Sequence, residues 1–249
     1  MDYFYICSPK KTNRYFFEME NKENKGIDLI ENADSLKKEI FKVEGFYEKN
    51  QSIIKAFGIG FLVGVAAFFG YKYYKAGQEK EAQAAMYDAV FSFEADSLNK
   101  ALKGQGGNMG LTAIADEYSG TSAGKLASLY AGVALVNQGK FNEAIEKLKD
   151  FDANDQVLQA KSYCLIGDCY SETGKFEDAI TYYEKAIDSN PNKFVTPGYM
   201  MKLGGALSDA KKSKEAVETF GKLAEKYPNS TEAVMAKKYK SRLEAELGL

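Results

Sequence analysis

The chain contains no histidine. Its absence removes the commonest metal ligand and the commonest general base. Arginine is confined to Arg14 and Arg242, and 33 basic residues meet 35 acidic ones for a formal net charge of −2. That balance leaves no basic footprint for nucleic acid. Three cysteines in 249 residues make no disulfide framework. Cys7 lacks the preceding small-residue pattern of a bacterial lipoprotein signal and is not read as a lipid anchor. The length accommodates one large domain or two small ones.

What is present begins with a long apolar run. Residues 53–74 read IIKAFGIGFLVGVAAFFGYKYY, with no charge between Ala56 and Tyr71. Counted from Ile53, the run spans about 28 Å as a helix, close to the hydrocarbon thickness of a bilayer. Lys55 can snorkel at one end, and Tyr71, Tyr73 and Tyr74 suit the headgroup belt at the other. The alternative reading is a buried core helix. Four glycines in an otherwise apolar run suit the membrane better, so a transmembrane helix is predicted over 52–74. It starts too far into the chain for a cleaved secretory signal and is expected to stay attached. Before it, residues 36–55 hold Lys37, Lys38, Lys42, Lys49 and Lys55; after it, residues 72–91 hold Lys72, Lys75 and Lys80. This asymmetry places the N-terminus in the cytoplasm and the C-terminal part outside.

Gly60 and Gly64 form a GxxxG through which two such helices can approach closely. Upstream, Leu29, Ala33, Leu36, Ile40, Val43 and Tyr47 follow the alternating spacing of an amphipathic helix, interrupted by Gly45. Residues 19–51 are therefore expected as a cytoplasmic helical segment that dimerises, lies on the membrane or docks on a partner. Residues 1–18 are aromatic and basic, whereas the chain from Met19 onward is rich in lysine and glutamate. They are expected to be a disordered or non-native extension, with Met19 as the native start.

The remainder is repetitive. Ala144, Ala179 and Ala216 recur at spacings of 35 and 37, preceded in each unit by Gly132, Gly167 or Gly204. Two residues after each glycine stands Ala134, Cys169 or Ala206, and next to it Leu135, Tyr170 or Leu207. The second half of each unit carries Leu148, Tyr183 or Phe220, and two units end in Pro191 and Pro228. Small residues at facing positions let two helices of a hairpin approach closely, and large ones fill the space between. Gly139 and Gly174 suit the turns, where a positive φ carries no steric penalty.

The pattern resembles the tetratricopeptide repeat, a helix–turn–helix unit of about 34 residues. Tyr163, Ile166, Gly167, Tyr170, Ala179, Tyr183, Ala186 and Pro191 match its eight signature positions. The outer copies depart from it at Ser128 and Phe151, and at Met200 and Leu223. Repeats are assigned to 125–159, 160–194 and 197–229, and 230–249 to a capping helix with Ser230 as N-cap. Leu111–Ala127 echoes Phe220–Ala236 through Ala115/Ala224, Tyr118/Tyr227 and Thr121/Ser230. Residues 75–124 therefore read as a linker helix and a degenerate repeat. The fold class is all-α: one transmembrane helix followed by an α-solenoid.

Candidate sites are few. Cys164 and Cys169, five apart on one helix, point about 140° from each other and cannot pair. Cys169 takes the place of two alanines and reads as a packing residue. KGQGGNMG (Lys103–Gly110) lacks the GK[ST] ending of a phosphate loop and reads as a connection. Glu172, Glu177 and Asp178 read as a solvated face. No catalytic, metal or cofactor site is expected. The resemblance implies a protein-binding groove lined by the first helix of each hairpin. Carried over, it comprises Leu126, Leu129, Val133 and Val136; Lys161, Cys164, Asp168 and Ser171; and Gly198, Met201, Gly205 and Ser208. Val133 stands where carboxylate-clamp members carry an asparagine, so a receptor for chaperone C-terminal tails is not implied. The groove is either open or filled by the preceding helix of the same chain.

One membrane span followed by a short repeat domain is similar to the YfgM-like family of bacterial inner-membrane proteins. That resemblance implies a non-enzymatic scaffold at the outer face of the inner membrane, with Sec-translocon subunits or periplasmic chaperones as partners. A homo-oligomeric scaffold for envelope assembly is the alternative.

Overall fold

The computed structural model describes residues 33–249. The expectations for residues 1–18, for Met19 and for Leu29 lie outside the described residues. Two units divide between Tyr71 and Lys72. Among the described residues every element is helical. The first helix, α1 (Ala33–Glu94), runs 62 residues without a break at Gly45.

Between Ile53 and Tyr71, α1 carries most of its apolar residues in the open. Phe57, Ile59, Phe61, Leu62, Phe68 and Phe69 are each more than half exposed. A core helix of a soluble domain would bury such side chains. By length and composition this helix is able to cross a membrane.

From Lys72 onward the chain folds as consecutive hairpins. After α1 come α2 (Leu98–Lys103), α3 (Leu111–Glu117), α4 (Ser122–Asn137), α5 (Phe141–Asp150), α6 (Gln156–Glu172) and α7 (Phe176–Ser189). They are followed by α8 (Thr196–Asp209), α9 (Ser213–Lys226) and α10 (Thr231–Leu247). Four turns share one geometry. Asp96, Gly139, Gly174 and Lys211 take positive φ of 54°, 72°, 72° and 64°. The next residue in each case donates its N–H back to a carbonyl five residues earlier, as Lys140 does to Leu135 and Lys175 to Tyr170. This is the Schellman ending of a helix, which satisfies carbonyls that the helix leaves open.

The geometry extends the repeat register one unit upstream. Ala101, Ala144, Ala179 and Ala216 each stand five residues after a turn residue, and all are fully buried. The hairpin that precedes the first clear repeat is thus the end of α1 paired with α2 and α3. Ala101 and Leu111 are ten residues apart where Ala144 and Leu148 are four apart, so six residues are inserted in its second helix. The insertion is pinched off by Gly104 and Gly110: a Cβ on Gly104 would meet the Gly110 backbone nitrogen at 2.7 Å. Asn108 ties the insertion to α1 by donating to Asp88 at 2.6 Å.

Inside the clear hairpins, a glycine faces a large side chain each time. A Cβ added at Gly132 would stand 2.5 Å from Leu148, and one at Gly167 would stand 2.7 Å from Tyr183. A Cβ at Gly204 would enter the Phe220 ring. Three helix starts, those of α4, α6 and α10, are capped by side chains. Asp155 accepts from Val157 and Leu158 N–H, and Ser230 from Ala233 N–H, as its N-cap role predicts. Glu79 of α1 reaches across to accept from Ser122 and Ala123 N–H at the start of α4, where negative charge also meets the positive end of the helix dipole. The core forms two clusters that meet at α6. Ile166 and Cys169 belong to the N-terminal one, Ala160 and Cys164 to the C-terminal one.

Candidate protein-binding groove

The face of interest is made by the first helices α4, α6 and α8, continued by α10. In the first repeat, Leu126, Val133 and Val136 are partly covered and Leu129 is only 7% exposed. Leu126, Leu129 and Val136 share a core with Met86, Val90 and Phe93 of α1. Phe93 meets Tyr130 edge to face, with ring centroids 5.2 Å apart. This stretch of the expected groove is therefore packed against the chain's own preceding helix, and Leu129 acts as a core residue.

In the second repeat, Lys161 is exposed, Asp168 and Ser171 are half-buried, and Cys164 is 3% exposed. Cys164 therefore lies beneath the groove surface and packs with the C-terminal core. Asp168 is engaged through both carboxylate oxygens. It accepts from the Tyr183 hydroxyl at 2.8 Å and from the Lys202 ammonium at 2.7 and 2.6 Å, one carboxylate oxygen each. Tyr183 comes from the same hairpin and Lys202 from the next, so Asp168 joins α6, α7 and α8. Charge-assisted bonds of this kind are the stronger class. Burial, and then the Asp168 charge, raises the Tyr183 hydroxyl well above its ordinary range. Burial lowers Lys202, but Cys164 and Asp168 hold it above its usual value.

The cysteines show no activation. Burial, with Asp168 second, pushes the Cys164 thiol up to about 11, and the same two causes push Cys169 up to about 12. Both are free and buried, and at neutral pH they stay protonated and inert. Their membership of different core clusters matches the two faces predicted from their spacing. Among the described residues no group of three or more acidic or cysteine side chains is placed to hold a metal ion.

In the third repeat the groove opens. Gly198, Met201, Gly205 and Ser208 are all partly exposed, and a Cβ at Gly205 would meet nothing within 4 Å. Met201, Gly205 and Ser208 line a cavity of about 270 Å³ together with Phe220, Tyr239, Leu243, Asp209 and Arg242. Tyr239 stacks on Phe220 at 5.7 Å, and Arg242 lies over the Tyr239 ring. The structure thus brings three expected groove residues together with the last helix, which the sequence reading treats only as a cap. The signal for this was available: the echo of Leu111–Ala127 in Phe220–Ala236, carried forward, sets Tyr239 on Tyr130 and Arg242 on Val133. Lys202 has no such signal, because it stands off the groove positions and is recruited from a neighbouring hairpin.

Comparison with known proteins bears on the fold. Tetratricopeptide repeat models match residues 160–193 and 199–230, and a tetratricopeptide repeat-like domain model matches 44–160. The fold is a tetratricopeptide-type α-solenoid. The match over 44–160 takes in the whole apolar run and the interrupted first hairpin, in line with the repeat register found there. The crystal structure of MamA protein superposes with a TM-score of 0.55 at 19% identity, covering 68% of this chain and 83% of that one. A Podosopora anserina protein of nearly identical TPR-like repeats gives 0.51 at 13% identity, covering 68% and 88%. At these identities the likeness is one of fold. No curated protein matches the chain.

Proposed function

We propose that the chain is a non-enzymatic, membrane-anchored scaffold that holds a protein partner on the groove formed by α6, α8 and α10. The observation that carries this reading is the cavity beside Gly205, where a first-helix face lies open and apolar side chains surround it. Tetratricopeptide repeats serve as protein-binding scaffolds, and an open apolar recess with a few polar groups on its lining suits an inserted side chain. The apolar stretch of α1 supplies the anchor, and the excess of lysines before it favours repeats on the outer side of a bacterial inner membrane. By resemblance of architecture, the partners are translocon subunits or periplasmic chaperones, and the role is assistance to export or folding.

A photo-crosslinking residue at Ser208, on the cavity wall beside Gly205, in the full chain in membranes, tests this. Labelling of translocon subunits or chaperones from Ser208, but not from the exposed Thr181 on a second helix, is expected. Labelling of the chain by itself alone would favour the homo-oligomeric scaffold instead. A reporter fused after Leu249 that works only in the cytoplasm would overturn the topology.

A further inference from the structure

Beyond Tyr71, α1 has two faces with opposite fates. Ala82, Met86 and Ala89 are 0%, 7% and 3% exposed and pack on the hairpins. Tyr73, Tyr87 and Phe91 are 85%, 76% and 67% exposed. At about 100° per residue, Tyr73, Gly77, Lys80, Ala84, Tyr87 and Phe91 fall within an arc of about 80°, opposite the buried stripe. Their spacing is four, three, four, three, four. That is the heptad alternation of a two-stranded coiled coil, with Gly77, Ala84 and Phe91 at one core position and Tyr73, Lys80 and Tyr87 at the other.

We propose that this seam pairs with the same seam of a second copy of the chain, as a parallel, in-register helix pair. The composition argues against a lipid surface. Lys80 lies within the stripe, and Glu81 and Asp88 flank it, so anionic headgroups would be repelled along its edge. The seam is complementary to itself. Small Gly77 and Ala84 alternate with the rings of Tyr73 and Tyr87, so that the helices can approach closely beside the rings, while Lys80 faces its own copy and lowers the stability of the pair. Three rings of about 150 Å² each offer on the order of 350 Å² per chain at these exposures, or about 700 Å² across the pair, short of the roughly 1,200 Å² total of a stable specific interface. Pairing therefore depends on the apolar stretch of the same helix. In a bilayer it holds two copies parallel at equal height and at high effective concentration. The proposal rests on the reading of that stretch as a membrane anchor.

The test uses the full chain in native membranes, with Cys7→Ser to silence the N-terminal thiol. Single cysteines at Ala84, Tyr87 and Glu81 are oxidised with copper phenanthroline. Disulfide-linked dimers are expected from Ala84→Cys and Tyr87→Cys at about ten times the yield of the flanking Glu81→Cys, since only seam positions face their counterparts. Adding Tyr87→Glu to Ala84→Cys is expected to reduce the dimer about tenfold with helix content by circular dichroism unchanged. Protein that resists carbonate extraction yet crosslinks no better at the seam than at Glu81 overturns the seam. Release by carbonate overturns the anchor, and dimers that persist after release show that the seam pairs without it.

Discussion

The hairpin interior and the groove face use the same small residue to opposite ends, and α8 shows both at consecutive positions. Gly204 is small because Phe220 already occupies the space its side chain would need. Gly205 has nothing near it, and the space it leaves is part of an open cavity. The first requirement is packing; the second leaves room for something else. One glycine is indispensable to the chain's own stability, and its neighbour is a cost that stability alone would remove.

Substitution breaks the symmetry between the two. Gly204→Ala drives a methyl group into a 2%-exposed ring, and overpacking of this kind costs about 1–3 kcal/mol. The urea midpoint of the full chain in detergent, followed by circular dichroism, should fall accordingly. Cys164 sharpens the comparison, since its position in the repeat belongs to the groove and its burial belongs to the interior. Its thiol is pushed up to about 11 from an ordinary 9.0. The folded state holds this proton more tightly, so the stabilisation is whole below pH 9 and is lost as pH rises toward 11. Wild type should lose on the order of 1–2 kcal/mol more than Cys164→Ala across that interval, measured as the difference in urea midpoints. Equal slopes would return Cys164 to the solvent-facing groove.

The smallest effects have the opposite sign. Gly205→Ala should stabilise the chain by about 0.5–1 kcal/mol, because an unhindered helix-interior glycine carries only an entropic cost. Photo-crosslinked partner yield is expected to fall in the same variant. Lys211→Gly should add a similar amount, about 0.5–1 kcal/mol, by relieving a side chain held at φ 64° in a turn whose equivalents at 139 and 174 are glycine. A thermal melt resolves both.

The same division explains what could be read from the sequence. The interior was legible because each hairpin repeats one contact: Gly132 with Leu148, Gly167 with Tyr183, Gly204 with Phe220. A recurring physical need leaves a recurring letter. The first hairpin was read only in its second half, because Asp96 replaces the turn glycine and six inserted residues separate Ala101 from Leu111. The groove was less legible, since its members are defined by what does not cover them. Leu129 and Cys164 share the register of groove residues and are buried by neighbouring helices. Lys202 reaches Asp168 from the next hairpin across 34 residues, a pairing that spacing within one repeat does not encode.

The meeting of two cores at α6 has a consequence for cooperativity. In stacked repeats, stability is close to a sum of units and nearest-neighbour interfaces. Here one helix contributes Ile166 and Cys169 to one cluster and Ala160 and Cys164 to the other. Fraying from either end consumes its own cluster and halts where the other begins. Amide protection should therefore peak in α6, and each half of the solenoid can open while the other stays folded. The open end, with its cavity beside α10, can rearrange without loosening the hairpins at the N-terminal end of the solenoid.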